Sequence, residues 1–72
     1  MKRHIAKEVL YRCEILGQKY DPIFEAINLI TDEEEKKKMK KMVSESVASL
    51  VALELYLVKQ WPDLDPKGRI GA

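Results

Sequence analysis

Residues 31–61 decide the fold of this chain; they read TDEEEKKKMKKMVSESVASLVALELYLVKQW. Thr31 and Glu34 have the spacing of a capping box, in which two side chains satisfy free backbone N–H groups at the start of a helix. Pro62 follows the stretch and biases the residue before it away from the helical conformation. The pattern therefore predicts one long α-helix over about residues 32–60.

The first turns of this predicted helix are charged. Asp32 and Glu33 join Glu34 where negative charge meets the positive end of the helix dipole. Lysines follow at an acid-before-base spacing that is worth about 0.2–0.5 kcal/mol per pair. We define the lysine cluster as Lys36, Lys37, Lys38, Lys40 and Lys41. Because these lysines radiate around the helix beside acidic residues, we interpret the cluster as a solvated surface.

The second half of the long helix is apolar on nearly every side. One stripe has the alternating spacing of a coiled-coil seam and comprises Met39, Met42, Val43, Ser46, Val47, Leu50, Leu53 and Leu57. A second apolar face appears past the middle of the helix and comprises Ala48, Ala52, Leu55 and Tyr56. A helix that is apolar all round must be covered on all sides, and a chain of 72 residues is barely large enough to do so.

We therefore expect the second apolar face to pair with another copy of the chain in a homodimer. Trp61 ends the helix and is either an anchor of this interface or a cover for the end of the core, since tryptophan is enriched at binding hot spots. The candidate interface residues are Ala48, Ala52, Leu55, Tyr56 and Trp61.

Two shorter helices are predicted before the long one. The first covers about residues 2–16 and ends at Gly17, which is suited to a left-handed C-terminal cap. The second covers about residues 22–29 and starts at Asp21-Pro22, a capping residue followed by a proline. The first helix is expected to bury Ile5, Ala6, Val9, Leu10, Cys13 and Leu16. The second is expected to bury Ile23, Ala26, Ile27 and Ile30.

The predicted fold is all-α, a small three-helix bundle in which two shorter helices fold against one long C-terminal helix. Residues 1–61 form a single domain. The first helix should lie against the apolar half of the long helix, and the second beside Met39 and Met42. Residues 62–72 carry two prolines and two glycines and are expected to form a loosely ordered tail, with Leu64 or Ile70 docked on the core.

Composition limits the classes of partner. Thirteen lysines and arginines stand against twelve acidic residues, so a net charge of +1 gives no overall attraction to nucleic acid or to acidic membranes. One cysteine and one histidine allow no internal disulfide and no paired metal-ligand spacing, which leaves oligomerisation to support a small core. With no apparent signal peptide, and no uncharged run near the roughly 20 residues of a membrane span, we expect a cytoplasmic protein.

Glu54 is the residue that fits the pattern least, because it falls inside the apolar stripe. It is either a buried acid, a metal ligand or a polar contact that fixes register, or else a glutamate at the rim whose head reaches water or a basic residue of the first helix. His4 and Cys13 are nine residues apart, too far for a catalytic pair on one helix turn. No catalytic or cofactor motif is recognisable, so we predict neither an enzyme nor a cofactor.

These observations favour a small cytoplasmic helical interaction or regulatory protein that acts by protein–protein association. The alternative is a small nucleic-acid-associated regulator. It would use the lysine cluster together with the basic N-terminal residues Lys2, Arg3 and Lys7. The near-balanced charge and the acidic residues beside the lysines argue against that alternative.

Overall fold

The computed structural model describes residues 1–65, and these form three α-helices and one short 3-10 helix. Helix α1 spans Arg3–Gln18, α2 spans Tyr20–Ile27 and α3 spans Glu33–Gln60. A 3-10 helix, Pro62–Leu64, follows directly. The all-α class is confirmed, and the long C-terminal helix ends at the residue that the sequence predicts.

Helices α1 and α2 form almost one bent helix, because only Lys19 separates them, and its backbone stays near helical values with φ −81° and ψ −10°. The predicted left-handed cap at Gly17 is wrong, since Gly17 lies inside α1 and has no positive φ. Helix α2 begins at Tyr20, two residues before the predicted start. Pro22 is therefore the third helical residue, where its missing N–H costs no helical hydrogen bond.

The start of α3 is capped by Asp32 and not by Thr31. The Asp32 Oδ1 atom accepts hydrogen bonds from the backbone N–H groups of Glu34 at 3.0 Å and of Glu35 at 3.3 Å. An aspartate both satisfies these donors and adds negative charge at the positive end of the helix dipole. The predicted capping box at Thr31 and Glu34 is therefore wrong: the capping residue lies one position later, as does the first residue of the helix.

Helix α1 runs antiparallel to the C-terminal half of α3, as predicted. Ala6 and Leu10 of α1 pack with Leu57 and Val58 of α3 in one buried cluster. Val9, Leu55, Trp61 and Leu64 pack against this cluster from its edges. Helix α2 lies beside the N-terminal half of α3, where the two helices line a common groove.

The buried face of α1 differs from the predicted one. Ala6, Leu10 and Cys13 are buried, whereas Ile5 and Leu16 are 47% and 50% exposed. Small side chains allow two helix backbones to approach closely, so α1 turns its alanine, cysteine and glycine toward α3. The larger isoleucine and leucine are left on the flank.

The buried stripe of α3 is also rotated from the predicted seam. It passes through Glu54, Leu57 and Val58 and continues toward the N-terminus through half-buried Val43, Val47, Leu50 and Val51. Leu53, by contrast, is 43% exposed, and Met39 and Met42 also face solvent in part. These three predicted core positions therefore lie on the flank of α3.

The tail predicted over residues 62–72 starts with regular structure. The 3-10 helix carries Leu64 against the buried cluster, and the carboxylate of Asp63 accepts a hydrogen bond from Arg3 Nε at 2.9 Å. This contact joins the start of α1 to the end of α3. Residues 66–72, including Ile70, lie outside the described residues.

Candidate functional site

The five predicted interface residues differ in how their own chain covers them. Ala48 and Ala52 are exposed, and Tyr56 is 59% exposed. Leu55 and Trp61 are half-buried and pack against the buried cluster. The chain thus covers two of the five in part, and their role in association stays a prediction.

Trp61 covers the end of the core. Its indole packs on the buried cluster, and among the described residues its Nε1 atom is buried with no hydrogen-bond partner. A buried donor without an acceptor costs about 1–3 kcal/mol. Trp61 therefore contributes apolar contact area, and its polar atom opposes that contribution.

Exposed and half-buried apolar side chains, with two serines among them in α3, lie along one side of each helix. In α3, the positions Met42, Ser46, Ser49, Leu53 and Tyr56 alternate in steps of four and three and so share a side. In α1, Ile5, Val9 and Leu16 share a side in the same way. Ile23 and Ala26 of α2, together with Ile30 after the end of that helix, line a groove of about 510 Å³ with Met39 and Met42.

These three sides belong to one surface of the molecule. Leu53 precedes the buried Glu54 by one residue, and Val9 precedes the buried Leu10 by one residue, a rotation of about 100° in each helix. Because α1 and α3 are antiparallel, the same rotation leads to the same side of the pair. We define the apolar face as Ile5, Val9, Leu16, Ile23, Ala26, Ile30, Met39, Met42, Leu53 and Tyr56.

Charge is sparse along the helix positions that make up this face. Lys2 lies in line with the α1 residues at one end of the molecule. Glu35 and Lys38 lie in line with the α3 residues at the other end, since Lys38 precedes Tyr56 by five full helix turns. Arg12 is the remaining charged residue of the α1 line, and its Nε donates to Glu8 Oε1 at 2.9 Å. The middle of the apolar face is therefore uncharged apart from one paired arginine.

A second feature is a cavity between α1, α2 and α3, which we call the acidic cavity. It has a volume of about 460 Å³ and is lined by Cys13, Glu14, Gly17, Gln18, Tyr20, Asp21, Val47, Leu50, Val51 and Glu54. Three of these side chains are carboxylates, and none is basic. No residue of the acidic cavity belongs to the apolar face.

Glu54 is buried at the acidic cavity, with 8% of its surface exposed. Within residues 1–65 Glu54 forms no hydrogen bond or ion pair, so the predicted pairing with a base of the first helix is not found. Its carboxylate oxygens are not fully enclosed, which agrees with the predicted rim glutamate whose head reaches water. Burial, and then the nearby Glu54 carboxylate, raises the pKa of the Cys13 thiol above its ordinary value. Both effects keep Cys13 protonated and disfavour the reactive thiolate.

The other sequence candidates are not assembled into sites. His4 is exposed near the start of α1, whereas Cys13 is buried about 13 Å farther along the helix axis. Over residues 1–65 no group of histidine, cysteine and acidic side chains could hold a metal ion. In the lysine cluster, Lys36 is half-buried and its Nζ atom lies 3.3 Å from Glu33 Oε1.

Across the same described range, no helix combines the length and the apolar character needed to cross a membrane. Comparison of the chain with protein-family models, with curated proteins and with solved structures gives no match. The apolar face and the acidic cavity are therefore the features from which function can be argued.

Proposed function

We propose that this chain is a small helical interaction protein that acts by association, and that a second copy of the chain covers its apolar face. The observation that carries the proposal is the apolar surface to which all three helices contribute, interrupted by Arg12, Ser46 and Ser49. Most of its side chains are not buried within the chain itself. In soluble proteins, extended exposed apolar surfaces mark sites of association.

The core of one copy is small. Its buried apolar residues are Ala6, Leu10, Cys13, Ile27, Leu57 and Val58, while ten large hydrophobic side chains remain exposed among the described residues. Ordering a chain costs about 1.5 kcal/mol per residue, and a core of this size offsets that cost poorly. With no disulfide or metal site in the described part, a second copy is the direct way to complete the core.

The size of the surface fits a dimer. The Cα atoms extend over 46 × 19 Å, so a whole side of the molecule, of which the apolar face is a part, has a projected area on the order of 900 Å². A stable protein interface buries roughly 800 Å² on each partner. An uncharged centre with charge at its ends also matches the usual anatomy of an interface core and rim.

Twofold pairing brings complementary groups together. The α3 part of the apolar face is centred on Ser49, so an antiparallel crossing there places Met42 of one copy opposite Tyr56 of the other. Small serines at the crossing allow the two helices to approach closely. The same symmetry brings Lys2 of one copy to the end of the other copy that carries Glu35 and Lys38, where Lys2 and Glu35 have opposite charges.

The apolar face and the interface predicted from the sequence share Tyr56 but otherwise use different residues of α3, and adjacent substitutions can separate the two. Leu53→Asp places a charge in the apolar face, whereas Ala52→Asp places the same charge in the predicted set. We expect sedimentation of the full chain at tens of micromolar to give a dimer for the wild type and for Ala52→Asp. Leu53→Asp should sediment as a monomer.

Far-UV circular dichroism checks that each variant keeps its helices. A monomeric wild type at the highest concentration would overturn the homodimer. Dissociation by Ala52→Asp, with Leu53→Asp still dimeric, would assign the interface to Ala48, Ala52, Leu55 and Tyr56 instead. Each result therefore decides between the two surfaces.

No observation favours the nucleic-acid alternative over association. Lys36 is paired with Glu33, and the acidic first turn of α3 adjoins the rest of the lysine cluster. Titration with duplex DNA at two salt concentrations tests the alternative directly. Binding that weakens steeply with salt would support it, because released counterions make phosphate contacts salt-dependent.

A further inference from the structure

We propose that the acidic cavity binds a small aliphatic diammonium ion, with one ammonium group at Glu54 and the other toward Glu14 and Asp21. This site is separate from the apolar face and does not depend on the dimer. A diamine is the chemical class that matches both the carboxylates and the apolar wall of the cavity.

The acidic cavity has an unbalanced negative charge. Glu14, Asp21 and Glu54 supply three carboxylates, and no lysine or arginine lines the cavity to balance them. Like charges that share a concave site repel one another and raise the local concentration of cations. The acidic cavity thus has an uncompensated attraction for positive charge.

Glu54 supplies the second, independent observation. It is more than nine-tenths buried, lines the cavity, and has no hydrogen-bond or ion-pair partner in residues 1–65. Its carboxylate oxygens are not fully enclosed, so a cation in the cavity can pair with them. An ammonium group offers three donors, enough to satisfy a carboxylate at the inner end of the cavity.

The remaining wall selects an organic ion over a metal ion. Val47, Leu50 and Val51 form an apolar side of the cavity, against which methylene groups can pack. No group of side chains in the described residues has the arrangement of a metal site. The volume of about 460 Å³ lies within the range of about 300–1,000 Å³ that small-molecule sites occupy.

Tyr20 lines one side of the cavity. Its Oη atom lies 2.7 Å from Ser46 Oγ, so the tyrosine is held against α3 by this hydrogen bond. Glu14 is half-buried and Asp21 is exposed, which places these two carboxylates nearer the opening than Glu54. One buried and two more accessible carboxylates match a ligand with a positive charge at each end.

The test is calorimetric titration of the full chain with 1,4-diaminobutane at low ionic strength. We expect saturable one-site binding, and binding of n-butylamine that is weaker because it lacks the second ammonium group. Glu54→Gln should weaken diamine binding about tenfold to a hundredfold, the range expected when a charged hydrogen bond is lost. Glu14→Gln should weaken it less.

Glu45→Gln is the matched control. It removes the same charge from α3 but lies on the solvent side, outside the cavity lining. Equal weakening by Glu45→Gln and Glu54→Gln would overturn the site in favour of diffuse attraction. Absence of saturable binding, or equal binding of magnesium chloride, would overturn it as well. The Leu53→Asp variant should bind the diamine as the wild type does. Diamine binding can therefore be tested even if the chain does not form the proposed dimer.

Discussion

Gly17 of α1 faces Leu50 of α3 with room for a methyl group between them. A Cβ atom built on Gly17 would lie 3.9 Å from Leu50 Cδ2, an ordinary van der Waals distance. Gly17 lies within the helix Arg3–Gln18 and has no positive φ. Neither helix packing nor backbone conformation therefore requires glycine at this position.

We expect Gly17→Ala to raise the free energy of unfolding by about 0.5–1 kcal/mol. Alanine favours the helix and restricts the unfolded chain, while its methyl group gains contact with Leu50. Urea unfolding followed by circular dichroism measures the change. A loss of stability would contradict the helical conformation and favour the left-handed cap that the sequence alone indicates.

Asp32→Ala should lower the free energy of unfolding by about 0.5–2 kcal/mol, because two backbone N–H groups at the start of α3 lose their acceptor. Thr31→Ala is the matched control, since it removes a possible capping residue one position away. Its effect should be much smaller. The same urea experiment compares the two variants, and a larger effect of Thr31→Ala would restore the capping box at Thr31 and Glu34.

Trp61→Phe should cost far less stability than Trp61→Ala. Phenylalanine keeps much of the contact with the buried cluster and removes the buried Nε1 donor, which has no acceptor in the described residues. Alanine removes the contact as well, and the loss can approach the about 3–5 kcal/mol seen for buried aromatic residues. Thermal unfolding of both variants at one protein concentration checks this order. Equal losses would indicate that the indole N–H is hydrogen-bonded.

Stability should fall at alkaline pH in a way that depends on Cys13. Burial and the Glu54 carboxylate raise the pKa of this thiol above its ordinary value of 9.0, so the folded state binds the proton more tightly than the unfolded state. The resulting stabilisation is complete below the unfolded pKa and is lost as pH rises through the folded pKa.

Cys13→Ala removes this contribution. The free energy of unfolding of the wild type should therefore decline more steeply than that of Cys13→Ala once the pH exceeds about 9. Urea unfolding at neutral and alkaline pH gives both slopes, and other titrating groups are common to the two proteins. Parallel slopes would contradict a raised thiol pKa.

The sequence by itself determined the three helices and which half of α3 each of the two shorter helices lies beside. Helix formation is local: a capping residue, a period of apolar residues and Pro62 place α3 to within one residue at its start. Chain connectivity and helix length then require α2 beside the first half of α3 and α1 beside the second. These are the features that the structure confirms.

The tertiary structure decided which faces of the helices are buried. In α1, the side of the helix that carries Ile5 and the side that carries Ala6 are both apolar. Periodicity alone cannot show which of the two is buried. The choice depends on how closely two backbones approach, which small side chains allow and larger ones prevent. That choice turns Leu53 outward and Glu54 inward, and so creates both the apolar face and the acidic cavity.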